Sequence, residues 1–242
     1  MKRFRSLCTV VVCVWVGACG SGVNSPTNPT TPTTMSITPT TGVLVVGQTQ
    51  PYTTANGTAN DTIAWSSTDS TVLTIDSTGN ATAVGKGVVT ITAAGTTQSA
   101  TLQVQVVPSY QGTWTGNTVN VACTSISGFD SYCTQGGGSG QAIGLNLTQS
   151  ALVLSGVLTK AEPGGALSGA VNGLIGPGGD ITLRGTLTGV SNGANISSTL
   201  ISWNSLATGN SMTGGWATNV TSPQILGIAT VQWSLRGMTL SQ

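Results

Sequence analysis

The chain has 242 residues and a formal net charge of +1, yet only 5% of them are charged and none is histidine. Soluble proteins carry about a quarter charged residues, so Thr, Ser, Asn and Gln must cover this surface. The lack of histidine excludes Ser-His-Asp and Cys-His catalysis and histidine metal ligation. Lys2, Arg3 and Arg5 cluster at the N-terminus. Beyond them only Lys86, Lys160, Arg184 and Arg236 stand against Asp61, Asp69, Asp76, Asp130, Glu162 and Asp180. No basic patch exists to attract nucleic acid, which is not an expected partner.

In chain order, Met1–Arg5 is a basic stretch and Leu7–Val16 an apolar run too short to span a bilayer, the pattern of a signal peptide over residues 1–18. The junction Val16-Gly17-Ala18-Cys19 resembles a bacterial lipobox. That resemblance implies lipidation of Cys19 and cleavage before it. The alternative is an ordinary signal peptide with a chance cysteine. A multiply acylated cysteine anchors stably where one chain would not. Gly20 after the cysteine resembles outer-membrane sorting where a cell has two membranes. The expected location is extracytoplasmic and lipid-anchored, on the outer membrane or the cell surface.

Residues 19–34 hold the Pro/Thr-rich run Gly20–Thr34, expected to extend as a tether of up to roughly 45 Å or to be a plain disordered terminus. Residues 35–107 alternate in short runs separated by turn signals, the spacing of a β-sandwich. Strands are expected at Val43–Val46, Thr49–Thr53, Thr62–Ser66, Leu73–Ile75, Asn80–Ala83, Val88–Ala93 and Ala100–Val106. Ile37-Thr-Pro39, Val45-Val-Gly47-Gln48-Thr49, Ile63-Ala-Trp65-Ser66-Ser67-Thr-Asp69, Val72-Leu-Thr-Ile75-Asp76, Gly79, Ala83-Val-Gly85-Lys-Gly87 and Val89-Thr-Ile91-Thr together resemble a group 2 bacterial immunoglobulin-like domain. Trp65 is expected between the sheets, and Gly47, Gly79 and Gly87 at turns with positive φ.

Pro108–Gln111 reads as a short junction. Within residues 108–242, eight strands are expected: Thr113–Val121, Ala142–Gln149, Leu152–Thr159, Ala166–Asn172, Asp180–Thr188, Ile196–Trp203, Ser211–Ala217 and Ile228–Arg236. The fold class is therefore all-β: an immunoglobulin-like sandwich followed by an eight-stranded antiparallel meander, expected to close into a small barrel. Gly112-Thr113-Trp114-Thr115-Gly116, the repeated Leu-Ser-Gly at Leu154–Gly156 and Leu167–Gly169, Met212-Thr-Gly-Gly-Trp216 and Val231-Gln-Trp233 loosely resemble avidin-type and other calycin barrels.

Cys123 and Cys133, ten residues apart in a Gly/Ser-rich loop, are expected to form a disulfide in an exported protein. A zinc site lacks further ligands, and neither a metal nor a cofactor is expected. Asp61, Asp69 and Asp76 fit no calcium loop and read as exposed strand-end aspartates. Asp130 and Glu162 fall in expected loops and Asp180 at the start of an expected strand, and a glycosidase pair among them would be a chance meeting. Trp114, Trp203, Trp216 and Trp233 remain as tentative ligand residues, with three readings open: core packing, an inward apolar pocket, or an outward platform for sugars. The chain accordingly reads as a non-enzymatic surface lipoprotein whose Ig-like spacer presents a module for adhesion or envelope interaction. The alternative is a calycin-like small-molecule or a carbohydrate-binding lipoprotein. Expected partners are the membrane, through the lipid, and a protein, a glycan or a small apolar ligand.

Overall fold

The computed structural model describes residues 34–126, 128–135 and 141–241. The leader, Cys19, the tether up to residue 33 and the glycine run 136–138 lie outside the described residues. The described chain is all-β apart from one short helix.

The first domain holds β1 (Ser36–Thr38), β2 (Val43–Val45), β3 (Thr49–Pro51), β4 (Thr53–Ala55), β5 (Ala64–Ser67), β6 (Leu73–Ile75), β7 (Asn80–Ala83), β8 (Gly87–Ala94) and β9 (Ser99–Val107). They form the sheets β2-β9-β8-β5 and β3-β7-β6, with β1-β4 as a separate pair. Alternation dictates what is buried. Val89, Ile91 and Ala93 of β8 and Val104 and Val106 of β9 meet Leu73, Ala81 and Ala83 of the other sheet. Trp65 is a correction: it is only half-buried. Its strand β5 is the edge of its sheet, so one flank of the indole has no neighbouring strand to cover it. The aromatic at the centre is Tyr52, 1% exposed, its hydroxyl donating to Thr41 O at 2.9 Å. Gly79 (φ +85°) lies beneath Trp65, and a Cβ there would stand 2.3 Å from Tyr52 O and 3.0 Å from the indole ring. Only glycine fits.

The second domain holds β10 (Gly112–Ile126), α1 (Asp130–Gln135), β11 (Gln141–Ser150), β12 (Val153–Glu162), β13 (Gly165–Ile175), β14 (Asp180–Ser191), β15 (Ala194–Thr208), β16 (Ser211–Thr221) and β17 (Ile228–Ser241). The eight strands pair antiparallel in sequence order, and β17 returns to β10 to close the barrel. Its apolar alternates point inward, among them Ile143, Leu145, Leu147, Leu158, Leu183 and Leu187. Threonines, serines and asparagines alternate outward, the reverse of a lipid-facing barrel. No helix among the described residues is long and apolar enough to cross a membrane.

Every barrel strand is longer than its pattern suggests. Val121 and Ile201 ended two of the expected runs or broke their alternation. Both sit at bulges, where the register slips between Asn120 and Ala122 and between Leu200 and Ser202. A bulge shifts which alternates face inward, so Ile196, Ser198 and Leu200 point in before the slip and Trp203, Ser205 and Ala207 after it. Gly189–Gly193 is not a five-residue connector. β14 runs on to Ser191, and a two-residue turn, Asn192 (φ 47°) and Gly193 (φ 78°), starts β15, the paired positive φ of a type I′ hairpin. Gly189 lies within the ladder, where a Cβ would come 2.0 Å from Ala166 O.

Candidate functional site

The two ends of the barrel are closed differently. At the end facing the sandwich, the junction residue Tyr110 is fully buried. Its hydroxyl donates to Gly179 O at 2.6 Å and accepts from Ala207 N–H at 2.9 Å. Its carbonyl accepts from Trp114 Nε1 at 2.9 Å. Val107 belongs to the barrel core, and Val43 and Val45 pack against it. The junction is therefore the barrel's floor, not a free linker.

At the opposite end, β10 leads into α1, and the Cys123–Cys133 disulfide, with Cα atoms 5.5 Å apart, ties the helix back to the strand. The expected loop is thus a bridged helical plug. Phe129 is fully buried in the barrel core and meets Tyr132 edge-on at 6.1 Å. Asp130, expected in a loop, begins the helix and bonds Ser125 Oγ.

Beneath this plug lies a charge pair. Lys160 and Glu162, two residues apart on β12, both face inward and are 2% and 8% exposed. Lys160 Nζ contacts Glu162 Oε1 at 2.5 Å and sits 4.1 Å above the centroid of Trp233, a cation–π position. Tyr132 OH donates to Glu162 Oε1 at 3.0 Å, and Ser191 Oγ to Oε2 at 3.2 Å. Burial pushes the Lys160 ammonium below its ordinary pKa, with Glu162 opposing. Burial, and then the carboxylate, push the Tyr132 phenol far up. A cavity of ≈ 10 Å³ beside them is at the lower bound for one water. The pair corrects the placement of Glu162 in a loop: β12 continues three residues past Thr159. The missed signal is Lys160-Ala161-Glu162 itself, where two opposite charges share one strand face in a chain almost without charge.

The four tryptophans are 0–4% exposed. Trp203, Trp216 and Trp233 occupy one rung across β15, β16 and β17, with centroids 5.5 and 5.8 Å apart. Their N–H groups are used internally, on Ser205 Oγ at 2.8 Å, Thr118 Oγ1 at 3.2 Å and Thr218 Oγ1 at 3.5 Å. The outward platform is therefore corrected, since no indole face is offered to a sugar. The inward set stacks on itself and on Lys160.

The three sandwich aspartates serve turns. Asp69 accepts from Thr71 N–H and Oγ1, Asp76 from Thr78 N–H and Oγ1 and from Asn80 N–H, and Asp61 from Thr96 N–H. Asp180 opens β14. The described residues hold no group of three or more potential metal ligands.

Residues 32–107 match the bacterial Ig-like domain (group 2) family. No curated protein matches the chain.

Proposed function

We propose that this protein is a non-enzymatic, lipid-anchored display protein in which the Ig-like domain holds the barrel away from a membrane for adhesion or envelope interaction. The observation that carries the reading is the pairing of a matched bacterial Ig-like domain with a barrel filled by its own side chains. A filled interior leaves the outer surface to meet a partner. That surface is large, nearly uncharged and rich in hydroxyls, suited to hydrogen-bonded contact with a protein or glycan. The spacer role rests on fold analogy with the matched Ig-like family.

The chemistry supports an exported setting, because the bridge that ties the plug persists in oxidising compartments. Lipid on Cys19 would supply the anchor.

Two linked experiments test the reading. Cells are labelled with a palmitate analogue, the wild-type protein is compared with Cys19→Ala, and protease is applied to intact cells. Label on the wild type alone, with the barrel accessible, is expected. The labelled protein is then cross-linked on cells to envelope polymers, matrix proteins and glycans. No lipid on the wild type, or no partner above background, would sink the proposal.

A further inference from the structure

The sandwich and barrel flank an open pocket of ≈ 360 Å³ at their junction. Four apolar residues line it: Val46 after β2, Pro108 of the junction, Ala207 of β15 and Leu240 of β17. Lys86, from the turn between β7 and β8, and Asn210, from the β15–β16 hairpin, complete the rim. The Tyr110 hydroxyl ties Ala207 of the wall to Gly179, which lies behind Pro108 and Lys86. Gly179 also packs where a Cβ would lie 3.0 Å from Pro108 Cδ and 3.5 Å from Lys86 Cδ. The pocket is thus preformed, and ligand sites of this size, mostly apolar with a few polar groups, favour domain interfaces.

Lys86 gives the pocket its selectivity. Among the described residues the one ion pair is Lys160–Glu162, so Lys86 has no carboxylate partner there, and Asp180 beside Gly179 does not supply one. Its ammonium is exposed at the rim while its stem lies along Gly179. An unpaired cation at the mouth of an apolar pocket favours a ligand with an apolar body and an anionic head.

We propose that this pocket binds a small amphiphilic anion of about ten to fifteen non-hydrogen atoms, its carboxylate on Lys86 and its chain against Val46, Pro108, Ala207 and Leu240. The site lies apart from the barrel's outer wall and does not depend on the display reading.

The test uses the full chain carrying Cys19→Ser, so that neither lipid nor detergent competes. Sodium octanoate, octanamide and octylammonium are titrated below their micelle limits while backbone amide shifts are followed by NMR. Octanoate should give saturable shifts at Lys86, Ala207 and Asn210. It should bind roughly three- to tenfold more tightly than octanamide at low salt, the range for one partly exposed charge contact, with octylammonium weakest. Lys86→Gln should erase the preference for the carboxylate. Thr208→Trp, an exposed position on the pocket wall, should abolish binding of both while leaving Tm within a few degrees. No saturation with octanoate, equal binding of octanoate and octanamide, or a preference that survives Lys86→Gln overturns the assignment. So does binding to phosphatidylglycerol vesicles without binding of monomeric octanoate.

Discussion

The sandwich and the barrel are both β-structure with polar surfaces in one nearly uncharged chain, but they differ in what polar chemistry they bury. The sandwich keeps its own outside. Asp69 and Asp76 hold turns through hydrogen bonds exposed to water, while the core they flank is aliphatic around Tyr52. The barrel is polar outside too, but it also takes polar groups inside. Lys160, Glu162, Ser191, Ser198, Ser205, Thr118 and Thr218 are all buried among leucines and tryptophans. Water can replace a lost partner at an exposed turn and cannot do so in the barrel. Equivalent deletions should therefore cost far more in the second domain than in the first.

The largest effect expected is from Lys160→Met. It strands the Glu162 carboxylate under the plug, and losing one member of a buried pair costs about 3–5 kcal/mol. Lys160→Met with Glu162→Gln should recover most of that, since removing both charges spares their desolvation. Urea unfolding followed by tryptophan fluorescence measures both. A single-variant loss below about 1 kcal/mol, the level of an exposed ion pair, would mean the pair is not buried in solution. The pH dependence has a definite sign. Burial lowers the folded-state pKa of Lys160 from its ordinary 10.5, so between the two values the unfolded chain binds more protons and stability rises with pH. Tyr132 is shifted up from 10.0. Above that pH the unfolded chain releases the phenolic proton first, and stability falls. Wild-type barrel stability should thus peak on the alkaline side, and Lys160→Met should remove the rise and keep the fall.

Removing the bridge with Cys123→Ser and Cys133→Ser ranks next. A loop closed over a sequence separation of 10 predicts a loss of about 3 kcal/mol. The near-ultraviolet signal of the tryptophans should weaken as the plug loosens, whereas a sandwich-confined effect would contradict the assigned role of α1. Tyr110→Phe should cost about 1–3 kcal/mol, because Gly179 O and Ala207 N–H would lose their buried partner. If it costs nothing, the junction is not the barrel's floor in solution.

The contrast also accounts for how much the sequence discloses. Seven of the nine sandwich strands and all eight barrel strands follow from alternation and turn residues, β1 and β4 being missed, and the barrel's strand order follows because its hairpins are short. Strand ends were lost where alternation broke for a structural reason: bulges at Val121 and Ile201, and an in-ladder Gly189 that looked like a turn residue. Lys160 lay one residue beyond the expected strand end at Thr159. Period-2 placement puts it inward beside Glu162, and nothing local reveals that Tyr132 and Trp233 meet this pair from two other points in the chain. The tryptophan rung was equally unreadable, because the slip at Ile201 decides which way Trp203 points.

The smallest effect belongs to the sandwich, and it tests the comparison from the other side. Asp76 is held below the ordinary carboxylate range by the Thr78 hydroxyl first and then by the Asn80 N–H, with burial opposing weakly. A folded pKa below the unfolded value of 3.8 means that its contribution is fully present above that pH and fades as pH falls through the folded value. Asp76→Asn keeps an acceptor and loses the charge, while Asp76→Ala loses both. At neutral pH both variants should melt below wild type, Asp76→Ala further, in the range typical of exposed sites. As pH falls through the folded value, the deficit of Asp76→Asn should shrink toward zero. Melting curves across that interval decide the matter. A deficit for Asp76→Asn that does not shrink as pH falls would show that the ionised carboxylate is not what holds the turn, and the contrast between a sandwich whose polar groups stay exposed and a barrel that buries some of its own would lose its first half.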